Sequence, residues 1–178
     1  MSIGLTNGCF DLLHSGHIAT LEFARKHCDR LIVGVDDDAS VRALKGAGRP
    51  IRKDIDRAYL VGALRMVDAV VVFPLDWLPR LVEGIAPDVM VKGSEYADQH
   101  VVGSIYAKSF LLAPMVAGIS TTEIIERIGH ANARAPLASR TLQPGDRGVG
   151  VASQPVSDKE WNEGRPRVRR QRIPSHQD

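Results

Sequence analysis

Aromatic residues are scarce in this chain. Phe, Trp and Tyr make up 5% of its 178 residues, so a core must rest on Val, Leu, Ile and Ala. Cysteine is scarcer. Cys9 and Cys28 are the only two, too few for a disulfide framework and at a spacing that fits no zinc pattern. No apolar run approaches the roughly 20 residues that span a bilayer. The start, Met1-Ser2-Ile3-Gly4-Leu5, lacks the basic and then apolar pattern of a signal peptide. These absences set the expectation of a soluble protein in a reducing, cytoplasmic compartment. A strong net charge is also missing. The formal charge is +2, but residues 1–133 carry 14 Lys+Arg against 16 Asp+Glu, and residues 134–178 carry 9 against 5. The basic character belongs to the tail, so the folded part gives no electrostatic reason to expect nucleic acid.

What is present is an alternation of two segment types. Ile3 to Thr6, Arg30 to Val35, Ala69 to Phe73, Asp88 to Val91 and Ser109 to Ala113 are short and rich in Val, Ile and Leu, and read as buried strands. Between them apolar residues recur at helical spacing over Ser15 to His27, over Asp54 to Met66 and after Asp76. A last helix starts at Ser120 or Thr121, both good N-caps. Alternating strands and helices predict an α/β fold: a doubly wound, mostly parallel five-stranded sheet with helices on both faces, Rossmann-like in layout. Such sheets bind ligands at the carboxyl ends of their strands. The Thr6–His17 loop, Asp36, the Lys92-Gly93 turn and the Gly118–Thr122 turn all follow strands and should share that rim. After about Gly129 the pattern stops. Pro136, Pro144, Pro155, Pro166 and Pro174 and the basic run Arg165 to Arg172 predict a domain over 1–130 and a disordered basic tail over 131–178.

The first strand runs into Thr6-Asn7-Gly8-Cys9-Phe10-Asp11-Leu12-Leu13-His14-Ser15-Gly16-His17. Gly8 is expected to turn the chain sharply. Gly16 is expected to let a phosphate approach the start of the first helix, where free amides and a positive partial charge already favour anions. His14 and His17 are three residues apart, so both can face one phosphate. Two imidazole donors there would stabilise charge developing on a phosphoryl oxygen. The dinucleotide fingerprint and the P-loop are both absent. Ser120, Thr121 and Thr122 at a helix start form a candidate second anion site. Lys45, in a Lys-Gly-Ala-Gly segment expected to be flexible, and Lys92, at a strand end, are the best candidate cations. Arg49 and Arg57 follow. Of the run Asp36-Asp37-Asp38, Asp36 is the candidate for positioning magnesium or a sugar hydroxyl, and the run as a whole reads as a solvated loop. Asp11 is expected to orient the loop or a metal. Cys9 reads as a small packed residue rather than a nucleophile.

The segment Gly8-x-Phe10-Asp11-x-x-His14-x-Gly16-His17 resembles the signature of the cytidylyltransferase-like superfamily of nucleotidyltransferases. Val33 to Val41, Leu44-Lys45-Gly46, Gly48-Arg49-Pro50, Arg57, Val67 to Val71 and Asp88 to Tyr96 resemble one branch of it, the heptose 1-phosphate adenylyltransferase domain of ADP-heptose synthesis. The resemblance covers residues 3–129. It implies transfer of a nucleoside monophosphate from ATP to a sugar 1-phosphate, giving an ADP-sugar and pyrophosphate, with Mg2+ carried by the nucleotide phosphates. It implies catalytic roles for His14, His17 and Lys45. Nucleotide contacts would come from Asn7, Gly8, Cys9, Phe10, Gly16, His17, Lys92, Gly93, Ser120, Thr121 and Thr122. Substrate contacts would come from Asp11, Asp36, Lys45 and Arg49.

The partners expected are the nucleoside triphosphate and the sugar phosphate. A homodimer and a separate sugar kinase are the protein partners to consider, because the related domain is often fused to such a kinase. Neither membrane nor nucleic acid is expected. Between Gly103 and Ser120 the chain is several residues shorter than the family pattern, which bears on the acceptor or base pocket. Two alternatives stand beside the main reading. One is a CTP-dependent cytidylyltransferase acting on glycerol 3-phosphate or a similar small phosphate, suggested by the Ile119-Ser120-Thr121-Thr122 turn. The other is a non-catalytic nucleotide-binding module whose tail contacts nucleic acid through Arg167, Arg169, Arg170 and Arg172.

Overall fold

The structure, a computed structural model, describes residues 1–134. The predicted tail therefore lies outside the described residues from 135 onward. Five strands form one sheet: β1 (Ile3–Gly8), β2 (Arg30–Asp36), β3 (Ala69–Phe73), β4 (Val89–Gly93) and β5 (Ser109–Ala113). All neighbours are parallel and the order is β3-β2-β1-β4-β5. The chain builds outward from β1 to β2 and β3, then crosses back to place β4 on the other side of β1. That reversal opens a crevice at the carboxyl ends of β1 and β4, the usual ligand position in such sheets.

The period-two alternation of strand side chains divides the core. Leu31, Val33 and Val35 of β2 and Val89 and Val91 of β4 point to one face, where they meet Leu21 and Ala24 of α1 (Ser15–Lys26). Ala58 and Val61 of a later helix join the same cluster. Leu5 of β1 and Met90 of β4 point to the opposite face and meet Leu78 and Val82. Both faces are therefore covered, which is why the strands read as continuous apolar runs. Each Leu or Val taken fully out of water contributes about 1.5–3 kcal/mol.

Two helices differ from expectation. The run Asp36-Asp37-Asp38 reads as a solvated loop, yet α2 (Asp38–Lys45) begins one residue beyond Asp37. Asp37 caps it, its Oδ1 accepting from the Ser40 amide at 2.8 Å, and Gly46 closes it at φ 93°. Start and stop follow ordinary capping chemistry, but the run of three aspartates conceals it. The next helix, α3 (Asp54–Gly62), is four residues shorter than its apolar spacing suggests. Gly62 is a poor helix former, and the chain leaves through tighter turns, Leu64 N to Val61 O and Val67 N to Leu64 O. The remaining helices are α4 (Leu78–Ile85) and α5 (Thr121–Arg134), the latter running past the expected boundary at 130. Among the described residues no helix is long and apolar enough to cross a membrane.

Candidate active site

The Thr6–His17 loop leaves the end of β1 as expected, but the residue that turns it is different. Gly8 has no left-handed backbone. Phe10 does, at φ 48°. A bulky residue in that region is strained by about 1–3 kcal/mol and persists only when its surroundings hold it. The Phe10 ring is buried, and its centroid lies 5.2 Å from that of His17. A Cβ on Gly8 would rest against this ring at 3.5 Å, an ordinary contact. The strain thus seats an aromatic wedge under the histidine pair.

His14 is the N-cap of α1 and His17 lies in its first turn. Their rings stack, with centroids 3.8 Å apart and planes 29° apart. Gly16 makes this stack possible, since a Cβ there would sit 3.0 Å from both Cε1 and Nδ1 of His14. Its missing side chain makes room for a histidine ring, rather than only for an approaching phosphate. The first intrahelical bond runs from Ile18 N to His14 O, and the amides of Ser15, Gly16 and His17 belong to the first turn, which has no intrahelical acceptors to offer. The result is two imidazoles at the positive end of a 12-residue helix.

Burial, and then the neighbouring His14, push the His17 pKa down to about 4. His17 is therefore neutral throughout the physiological range, and its buried Nδ1 makes no hydrogen bond. An unfolded histidine binds its proton near pH 6.5. Between about pH 6.5 and 4 the unfolded chain holds more protons than the folded one, so this contribution to stability is complete above 6.5 and is lost as pH falls through that window. Urea unfolding from pH 7 to pH 4 should show this loss, and His17→Asn should flatten it. An unchanged pH profile in the variant would remove His17 as its source.

Two buried polar ties hold the loop. Asp11, expected to contact substrate or a metal, is fully buried and occupied by protein. Its Oδ2 accepts from Arg49 Nε at 2.5 Å, and its Oδ1 accepts from the amides of Ile51 and Arg52 at 2.8 and 3.0 Å. Arg49, also expected at the substrate, is committed to this pair. Asp11 is thus a brace between the His loop and the α2–α3 connection. Arg57, ranked as a secondary cation by sequence, is the second tie. Its side chain is completely buried and donates to Arg52 O, to Cys9 O and to Asp38 Oδ1. The aspartate run expected to be solvated is divided among three tasks: Asp36 is buried, Asp37 caps α2, and Asp38 pairs with Arg57.

Beneath the loop lies a polar floor at the switch point. Asn7 and Asp36 are 7% and 3% exposed. Cys9 donates its thiol to Asp36 Oδ2 at 3.4 Å, while the other Asp36 oxygen and the Asn7 amide oxygen are buried without a hydrogen-bond partner. Burial pushes the Asp36 carboxyl up. Burial and the adjacent Asp36 raise the Cys9 thiol to about 11, which leaves it un-ionised and a poor nucleophile. Lys92 is also buried, and its Nζ donates to Asn7 O at 2.9 Å. Gly93 ends β4 beneath the carboxylate of Glu95, which a Cβ there would strike at 2.0 Å.

Lys45 ends α2 as an exposed cation, close enough to the Cys9 thiol for its charge to be felt. Beyond it Gly46 and Gly48 have open space around them. Ile119 lies against Gly16, its Cγ2 3.8 Å from where a Cβ would be, and so brings the residue before Ser120 to the mouth of α1. Gly118 adopts φ 72° and Thr121 opens α5, as its hydroxyl-rich start predicts. Thr122 lies in the first turn of α5. The structure therefore brings together His14, His17, Gly16, Phe10, Asn7, Cys9, Asp36 and Lys92. It turns Asp11 and Arg49 toward each other. Among the described residues no group of three or more His, Cys, Asp or Glu is placed to hold a metal ion.

The chain is similar to proteins named bifunctional protein HldE. It is 48% identical to that of Mesorhizobium japonicum over 132 residues, covering 72% of this chain and 27% of the relative. It is 50% identical to that of a Nitratiruptor species over 126 residues, covering 71% and 27%. The chain thus aligns with about a quarter of the length of these relatives. Among solved structures it resembles the lipopolysaccharide core biosynthesis protein of Thermoplasma volcanium, with a TM-score of 0.53 and 25% identity, covering 65% of this chain and 97% of that one. The cytidylyltransferase-like family model matches residues 5–127, which contain every element from the middle of β1 into α5. On that match the chain belongs to the cytidylyltransferase-like family.

Proposed function

We propose that this chain transfers an adenylyl group from ATP to a sugar 1-phosphate, heptose 1-phosphate above others, in ADP-heptose synthesis. The observation that carries the reading is the stacked His14–His17 pair at the N-terminus of α1, with His17 held neutral. The likeness to the HldE proteins supports it. In the step itself a phosphate oxygen of the acceptor attacks the α-phosphorus in line. The bond from the α-phosphorus to the bridging oxygen breaks, and pyrophosphate leaves with both electrons. No protein nucleophile is needed, and catalysis consists of positioning and charge stabilisation.

His14 and His17 donate to phosphoryl oxygens, where the negative charge of the transition state grows. A neutral His17 suits this work because it donates through its N–H without gaining or losing a proton in the step. The free amides of the first turn of α1 add fixed positive potential. Lys45, exposed at the end of α2, neutralises charge on the phosphates, and Ser120 and Thr121 hold the nucleotide. Mg2+, held by the triphosphate itself rather than by protein ligands, would supply charge screening there.

The test is pyrophosphate release with ATP and with CTP, each against heptose 1-phosphate, other sugar 1-phosphates and glycerol 3-phosphate. Release with ATP and heptose 1-phosphate is expected. Preference for CTP with glycerol 3-phosphate would replace this reading with the cytidylyltransferase one, toward which the Ile119-Ser120-Thr121-Thr122 turn points.

A further inference from the structure

Lys92 occupies a strand end where a cation invites assignment to a phosphate, but its ammonium points elsewhere. The side chain is 6% exposed. Its Nζ donates to the Asn7 carbonyl at 2.9 Å and lies 4.8 Å from the Tyr96 ring centroid. Asp36, Cys9 and Glu95 are near enough to act on its charge, Asp36 most strongly. The ladder explains why a bond is made there. β1 and β4 pair through Gly4↔Val89, Leu5↔Met90 and Thr6↔Val91, and the pairing stops. On its other side β1 remains paired with β2 through Gly8↔Val35. At Asn7 the sheet has begun to part at the switch point, and the Lys92 side chain supplies the cross-strand bond that the backbone no longer makes. Asn7 is the penultimate residue of β1, one before Gly8, after which the loop to His17 departs.

We infer that Lys92 is a positioning residue: it bridges the split between β1 and β4, carries the counter-charge of Asp36, and sets the exit of the histidine loop without touching the nucleotide. A buried ammonium is costly unless paired. Asp36 offsets part of that cost, although burial outweighs it, and removing either group leaves the other buried charge less well compensated.

The inference is tested with Lys92→Met, Asp36→Asn and the double variant in the full chain. The first readout is thermal unfolding, which is independent of any assay of activity. Lys92→Met and Asp36→Asn should each lower the melting temperature, and the double variant should lose less than the two losses added together. The second readout rests on the proposed nucleotidyl transfer. In the better folded of the two Lys92 variants kcat should fall by about tenfold or more while KM for the triphosphate moves by less than about threefold.

An unchanged melting temperature with a KM raised about tenfold would make Lys92 a phosphate ligand and overturn the inference. A lowered melting temperature with normal kcat would reduce it to a merely structural residue, which also overturns it. Wild-type protein that transfers no nucleotide would defeat the functional reading, and the thermal cycle would still decide whether Lys92 and Asp36 are coupled.

Discussion

Replacing His17 with alanine should lower turnover by about 10²–10³-fold, the range seen when one preorganised donor to a developing oxyanion is removed. The fold should survive. The ring touches Phe10 and His14, but it anchors no hydrogen-bond network, and its buried Nδ1 is already without a partner. Keeping a polar ring nitrogen buried without a partner is itself unfavourable, so truncation relieves part of what it removes. Initial rates at saturating triphosphate and acceptor, with circular dichroism melts alongside, measure both halves. A variant that keeps near-normal turnover would remove His17 from the chemistry, and one that loses its fold would recast it as a core residue.

The second large effect is expected in stability. Arg57→Met should destabilise the domain by about 3–5 kcal/mol, as when one partner is cut from a buried charged network. The guanidinium is completely buried, and its removal abandons Cys9 O, Arg52 O and Asp38 Oδ1 together. Asp38 keeps some access to water, which moderates its share. The Cys9 and Arg52 carbonyls lose the same donor, and an acceptor left unmet away from water costs about 1–3 kcal/mol. Arg57→Lys should rescue little, because an ammonium cannot reproduce the planar fork. Urea unfolding compares the three proteins. A loss below about 1 kcal/mol would mean that water or neighbouring groups replace the guanidinium, contrary to the bracing role assigned here. Because Arg57 holds Cys9 O, activity should decline with stability in the same variant.

These two residues also mark what sequence patterns can reveal. The strands were legible because burial on both faces makes them continuous apolar runs, and the histidine pair because three-residue spacing at a helix start is a local feature. The ties that hold the pair are not local. Asp11 meets Arg49 across 38 residues, and Arg57 meets Cys9 across 48. Nothing in the spacing of single charged residues says whether they face solvent, substrate or each other. Asp11 and Arg49 therefore read as substrate contacts and became a brace, while Arg57, an arginine in a helix, gave no sign of complete burial. The α2 helix was hidden by composition: three aspartates suggest a solvated loop, although Asp37 is an ordinary cap with Ser40 three residues on. The loop turn was misplaced for the opposite reason. Gly8 is the residue that turns cheaply, but the structure puts the left-handed conformation on Phe10, where only tertiary packing can hold it.

In the proposed reaction the α-phosphoryl group of a nucleoside triphosphate moves, with its nucleoside, onto a phosphate acceptor. The most direct measurement supplies ATP labelled at the α-phosphorus or at the γ-phosphorus, with heptose 1-phosphate as acceptor, and follows where each label goes. The α label should enter the nucleotide sugar, and the γ label should appear in pyrophosphate, both only when acceptor is present. Transfer of the γ label to the acceptor, or release of label at the same rate without it, would contradict the account.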